Sequence, residues 1–170
     1  PAIIRTSMLD SHPLPDDPIE LARSNWERHG WSESADGMAL VTSIMRVQQV
    51  FLARVEAVLR PHGLTFARYE VLRLLGFSRR GAMPVGKIGE RLQVHPASVT
   101  NAVQRLEADG LVVRSANPND GRSVIAEITP KGRRLVDECT DILNAEVFSI
   151  VPIPETQQQR TFQALETVRK

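Results

Sequence analysis

Residues 86–129 narrow the possible folds more than any other part of this chain, because they read as a short helix, a turn, a second helix and then a β-hairpin. The second helix, about 96–109, has two distinct faces. Val99, Val103 and Leu106 recur at spacings of four and three, which puts them on one apolar stripe. Ser98, Thr100, Asn101, Gln104 and Arg105 fill much of the remaining surface, and Gly110 stops the helix. Two apolar runs follow, 111–114 and 123–128. Between them lies Asn117-Pro118-Asn119-Asp120-Gly121-Arg122, a turn-forming segment expected to be the tip of the hairpin. The expected fold class is therefore mainly α with a small β-hairpin wing: a winged helix-turn-helix.

The flanking segments are helical by the same criteria. A short helix is expected from residue 19 to 29, with Asp17 as N-cap, Pro18 at the first position and Gly30 as the stop. Residues 1–18 read as an extended arm, and 32–37 as a connector. A long helix is expected over 38–60, its apolar positions following the 3,4 repeat with Gln48 as the one polar interruption. Residues 65–78, 84–92 and about 130–147 read as further helices. The first has Thr65 as N-cap, and the last starts on Thr129-Pro130. Leu135, Cys139, Ile142, Leu143 and Val147 would form the apolar face of that last helix. Pro152 and Pro154 break the pattern before a final helix over about 155–169 with Phe162, Leu165 and Val168 apolar.

The charge is uninformative until divided by region. The chain carries a formal +1, yet residues 62–134 hold 12 Lys or Arg against 6 Asp or Glu, a local +6, and the rest carries −5. A basic middle between acidic ends suits a nucleic-acid surface carried on a body that contacts protein. In a helix-turn-helix the N-terminal part of the second helix lies at the bases of the major groove while the first helix crosses the backbone. Ser98, Thr100, Asn101, Gln104 and Arg105 are therefore the expected major-groove residues. Asn can bridge adenine N6 and N7, the Thr methyl can meet thymine, and Gln104 or Arg105 can reach guanine or phosphate. Arg122 at the hairpin tip, its guanidinium held by Asp120, is expected in the minor groove. Lys87, Arg91 and Arg114 are expected at phosphates.

With these motifs in place the chain resembles a known family. Leu106-Glu107-Ala108-Asp109-Gly110-Leu111-Val112, Asp120-Gly121-Arg122-Ser123 and the Thr129-Pro130-x-Gly132 helix start are similar to those of the MarR family of bacterial transcription regulators. The resemblance covers about residues 38–170. It implies an obligate homodimer that interlocks the first long helix with the last two, and a ligand crevice between that platform and the DNA-binding lobe. It also implies a repressor, with Arg122 as the family's wing arginine and Asp120 as its partner. The resulting division is 1–36 as an N-terminal arm and short helix, 37–62 and 130–170 as dimerisation helices, and 63–129 as the DNA-binding lobe. The expected partners are double-stranded DNA at a pseudo-palindromic operator, a second copy of the chain, and a small aromatic or anionic ligand.

Trp26 is similar to a tryptophan that urate-responsive relatives carry on an extra N-terminal helix. However, Glu70 stands where those relatives have Asp, and Asn101-Ala102 supplies no matching base, so Trp26 and Trp31 are expected to staple the arm onto the dimer instead.

Other classes find little support. There is no Gly-rich phosphate loop or nucleophile elbow, so no enzyme is expected. His12, His29, His62 and His95 are scattered, so neither a metal nor a cofactor is expected. Cys139, the single cysteine, shares the apolar face of Leu135 and Leu143 and reads as a core residue of a reduced, cytoplasmic protein. No run of about 18 apolar residues marks a membrane span. The alternative is a winged-helix module that binds protein without DNA.

Overall fold

In a computed structural model, residues 16–170 are described; the expected N-terminal arm lies largely outside them. Helix α1 is Pro18–Arg28, with the Asp17 carboxylate accepting a hydrogen bond from the Ile19 amide at 2.9 Å and Pro18 in the first turn, as its capping chemistry predicts. Gly30, at φ +85°, turns the chain into α2, Ser32–Leu59. The expected connector at 32–37 is instead the opening of this 28-residue helix. Glu33 sits favourably in its first turn, and Ala35 is buried, so position by position the segment is helical despite its Ser, Asp and Gly content.

Two compact units divide within α2, between Leu52 and Ala53. The first holds α1 and most of α2. Its corner is an aromatic cluster: Trp26 meets Trp31 edge-on at 5.3 Å, and His29 stacks on Trp31 at 5.6 Å. The two tryptophans thus staple α1 to the start of α2. Arg23 ties the same corner through Glu20, Glu27 and Asp36.

The second unit carries the core. Helix α3 (Phe66–Phe77) is capped by Thr65, whose side chain accepts from the Arg68 amide. It leads into a short strand β1 (Ala82–Pro84), helix α4 (Val85–Leu92) and helix α5 (Pro96–Ala108). Strands β2 (Val112–Asn117) and β3 (Asp120–Ile128) form the wing, and α6 (Pro130–Glu146) and α7 (Glu155–Arg169) complete the chain. The sheet is antiparallel in the order β1-β3-β2. Strand β1 was not expected; it pairs Ala82 with Glu127 and Pro84 with Ile125, so Pro84 ends a strand and α4 begins one residue later than anticipated.

Leu59, Leu72, Leu75, Ile88, Leu106 and Leu143 are fully buried in one core with Val99, Val103 and Val136. Each such side chain contributes about 1.5–3 kcal/mol of burial free energy. Cys139 is in this core, as its position on the helix predicted. Leu135 and Ile142 are only partly covered, and Val136 takes the central place on α6. Helix α7 buries no residue at all.

Candidate nucleic-acid interface

The turn between α4 and α5 fixes how the second helix is presented. Gln93 adopts a left-handed conformation at φ +54°, the one non-glycine described residue to do so. A side chain there costs on the order of 1 kcal/mol, so the tight turn is held by what surrounds it. The Val94 amide bonds to the Gly89 carbonyl at 3.2 Å, and Gly89 packs against Val99. The Nδ1 atom of His95 then caps α5 by accepting from the Ala97 amide at 3.2 Å.

On α5 the two expected faces are realised. Val99, Ala102, Val103 and Leu106 are buried, whereas Ser98, Thr100, Asn101, Gln104 and Arg105 are all exposed. Three of the exposed side chains are already engaged. The Nε of Arg105 donates to Oδ1 of Asn101 at 3.0 Å, and the Thr100 hydroxyl donates to the Pro96 carbonyl at 3.0 Å. Asn101 keeps its amide hydrogens, and Thr100 keeps its methyl group, for an outside partner. On α4, Lys87 and Arg91 are exposed and make no ion pair among the described residues.

The wing differs in detail from the expectation. Its strands are longer, reaching Asn117 and Asp120, so the turn itself is only Pro118-Asn119. The Asn117 side chain closes this turn, accepting from the Asn119 amide at 3.0 Å and donating to the Ser123 hydroxyl at 2.7 Å. Arg122 therefore lies in β3, just past the tip. Asp120 does not hold its guanidinium. The carboxylate instead accepts from the Arg122 backbone amide at 3.1 Å, which supports the residue through the main chain and leaves the charged head exposed.

Arg114 also departs from a simple phosphate contact. Its Nε donates to Oε2 of Glu107 at 2.6 Å, and its backbone amide donates to Oε1 of the same carboxylate at 3.3 Å. Sequence reasoning missed Glu107, since the pair forms only once the chain has reversed at Gly110 and started β2. Together these elements enclose a cleft of about 300 Å³, lined by Val85, Gly86, Thr100, Val103, Arg114, Arg122, Ser123 and Val124. It joins the exposed face of α5 to the wing, with valines as its apolar lining and two arginines and two hydroxyls as its polar groups.

A second, smaller hollow of about 40 Å³ lies between α3 and α5, lined mainly by apolar groups with Glu70. Burial raises the pKa of the Glu70 carboxyl. Cys139 is no reactive thiol: burial, followed by the charge of Glu138, pushes its pKa up to about 11. No group of three or more His, Cys, Asp or Glu that could hold a metal occurs among the described residues.

A two-faced helix, set by a tight turn and followed by a two-stranded wing packed on a third short strand, defines a winged helix-turn-helix protein. The MarR family model matches residues 64–124, which span α3 to the middle of β3. The crystal structure of Sco5413, a MarR family transcriptional regulator from Streptomyces coelicolor, is 48% identical to this chain; the match covers 79% of this chain and 93% of that one with a TM-score of 0.72. The HTH-type transcriptional repressor Rv2887 of Mycobacterium tuberculosis is 29% identical over 77% of this chain and 93% of its own length. CouR from Rhodococcus jostii RHA1, solved bound to p-coumaroyl-CoA, is 27% identical over 76% of this chain and 90% of its own, with a TM-score of 0.65. The chain belongs to the MarR family of transcriptional regulators.

Proposed function

We propose that this protein is a homodimeric, ligand-responsive repressor that acts in the cytoplasm by occupying a pseudo-palindromic operator. The observation that carries the DNA-binding reading is the cleft between α5 and the wing, where Thr100, Arg114 and Arg122 border one space. Ser98, Thr100, Asn101, Gln104 and Arg105 read or align on the major groove. Arg122, with its backbone supported by Asp120, enters the minor groove. Lys87, Arg91 and Arg114 meet phosphates. Lobe 63–129 carries these contacts, and 37–62 with 130–170 forms the platform.

Dimerisation is supported by apolar surface that one chain leaves uncovered. Leu40, Val41, Ile44, Met45 and Val47 are exposed along α2, as are Phe162 and Val168 on α7. A second copy is the simplest cover for such an array. Helix α2 is long and apolar enough to cross a membrane by length and composition. Yet it carries Arg46, Gln48, Gln49 and Arg54, and it ends in the folded core at Val55 and Leu59. Two-fold symmetry places the operator half-sites roughly 10 base pairs apart. Control by a small aromatic or anionic ligand requires that it bind one arrangement of the dimer better than the other, and the acyl-CoA found on CouR is one precedent for the ligand class.

The test is a mobility-shift titration against the region upstream of the protein's own gene at several salt concentrations. Affinity should fall steeply with salt, and Arg122→Ala should weaken binding by about 1–3 kcal/mol. Salt-independent binding, or binding indifferent to Arg122→Ala, refutes the reading and favours a winged-helix module for protein partners.

A further inference from the structure

The Glu107–Arg114 pair is puzzling for a surface that faces a polyanion, because it sets a carboxylate beside one of the cations meant to attract phosphate. Its geometry offers a reason. Arg68 and Arg73 meet Asp109 and Asp137 through a terminal nitrogen, which engages the head of the side chain. Arg114 instead meets Glu107 through Nε at 2.6 Å, while the second carboxylate oxygen takes the Arg114 backbone amide at 3.3 Å. One carboxylate thus holds the residue at two points, main chain and inner guanidinium nitrogen. The two terminal nitrogens make no hydrogen bond to protein among the described residues, and Arg114 lines the same cleft as Arg122 and Thr100. Each side chain of the pair is about one-third exposed, so its hold on Arg114 rests on the two-point geometry and not on burial.

We propose that Glu107 is a positioning residue for DNA binding: it fixes Arg114 so that its terminal amino groups face the wing cleft and meet one backbone phosphodiester there, beside the wing that carries Arg122. A planar guanidinium held at Nε still offers two parallel donors, which suits the two unbridged oxygens of a phosphodiester. Left free, the side chain would lose rotamer entropy on each binding event, and Glu107 removes that cost beforehand. The inference rests on the DNA-binding reading and adds a residue to it.

The sign of one substitution separates this role from simple electrostatics. Removing a carboxylate near DNA should tighten binding by Coulomb's law. Positioning demands the opposite: Glu107→Ala should weaken binding to a random-sequence duplex on the order of tenfold, as expected for directly coupled residues. Glu107→Gln, which keeps an acceptor for Nε, should recover part of the loss. In an Arg114→Ala background Glu107→Ala should have no effect or tighten binding, and Arg114→Ala should lower the salt slope by roughly 0.9, one phosphate's worth. Tighter binding by Glu107→Ala in the otherwise native protein, or equal weakening with and without Arg114, overturns the proposal. Should Glu107→Ala fail to fold, the same cycle run with Glu107→Gln decides it. Salt-independent binding by the wild-type protein is a separate outcome that overturns the DNA-binding reading itself, and this inference with it.

Discussion

Gly132, in the first turn of α6, allows a close approach that no other residue can make. A Cβ built there would lie 2.2 Å from the Leu111 carbonyl oxygen and 3.1 Å from Cγ1 of Ile128. The backbone on both sides is tied down. The Leu111 carbonyl accepts from the Thr129 amide at 3.0 Å and from its hydroxyl at 3.2 Å, and that hydroxyl also reaches the Gly110 carbonyl at 2.9 Å. The Gly132 amide in turn donates to Thr129 Oγ1 at 3.0 Å. In Gly132→Ala the carbonyl and the helix must separate by about 1 Å to reach ordinary contact. That motion forfeits the two donations that Thr129 makes across the junction, from its amide and from its single hydroxyl hydrogen, at roughly 1–1.5 kcal/mol each. Alanine returns about 1 kcal/mol through helix propensity, so the net loss is about 1–2 kcal/mol. For a chain of this size the midpoint should drop by roughly 3–6 °C. Thermal unfolding followed by circular dichroism, at matched protein concentration because a dimer's midpoint depends on it, measures this directly. Gly86→Ala is the control, since a Cβ there meets nothing within 4 Å. If Gly132→Ala is as stable as the wild type, or gains as Gly86→Ala should, the junction is looser than argued and the reasoning fails.

Two further outcomes follow from the titratable groups. Burial holds the Cys139 thiol at a pKa of about 11, so labelling by a thiol reagent at neutral pH should require unfolding, and peroxide should leave DNA binding unchanged; rapid labelling of the native protein would contradict its place in the core. Burial raises the pKa of Glu70 above its ordinary 4.5, so the native state disfavours the ionised form and loses stability as pH rises through the raised value. Glu70→Gln should therefore be more stable than the wild type at pH 7, with the gain vanishing below about pH 4.5 where both states are protonated. Denaturant midpoints across that range test it, and a gain that persists in acid would mean the effect is not electrostatic.

Much of the interface was legible because it follows from periodicity. The split of α5 into a buried stripe at Val99, Val103 and Leu106 and an exposed polar face is fixed by helical spacing alone, and Asp17, Thr65 and Thr129 were visible as caps because capping is local chemistry. What escaped notice depends on partners distant in sequence. Strand β1 is three residues ending in proline, with no strand pattern of its own; it exists because β3 offers a free edge at Ile125 to Glu127. Residues 32–37 look like a connector by composition, but helix propensity is a weak preference that packing at Ala35 and the corner formed by Trp26 and Trp31 override. The same limit applies to charge. The pairing of Arg114 with Glu107 was not legible, because their seven-residue separation spans a helix end, a glycine turn and the start of a strand. Counting charge along the chain therefore finds where cations concentrate but not which of them are paired. Thr129 shows both levels at once. As a cap it could be read locally, whereas its bonds to Gly110 and Leu111 join the end of α5 to the start of α6. Lys131 adds to that join, its Nζ donating to the Asp109 carbonyl at 2.9 Å, so the start of α6 is tied to the end of α5 by side chains that bond main-chain carbonyls, a link set by the fold and not by local sequence.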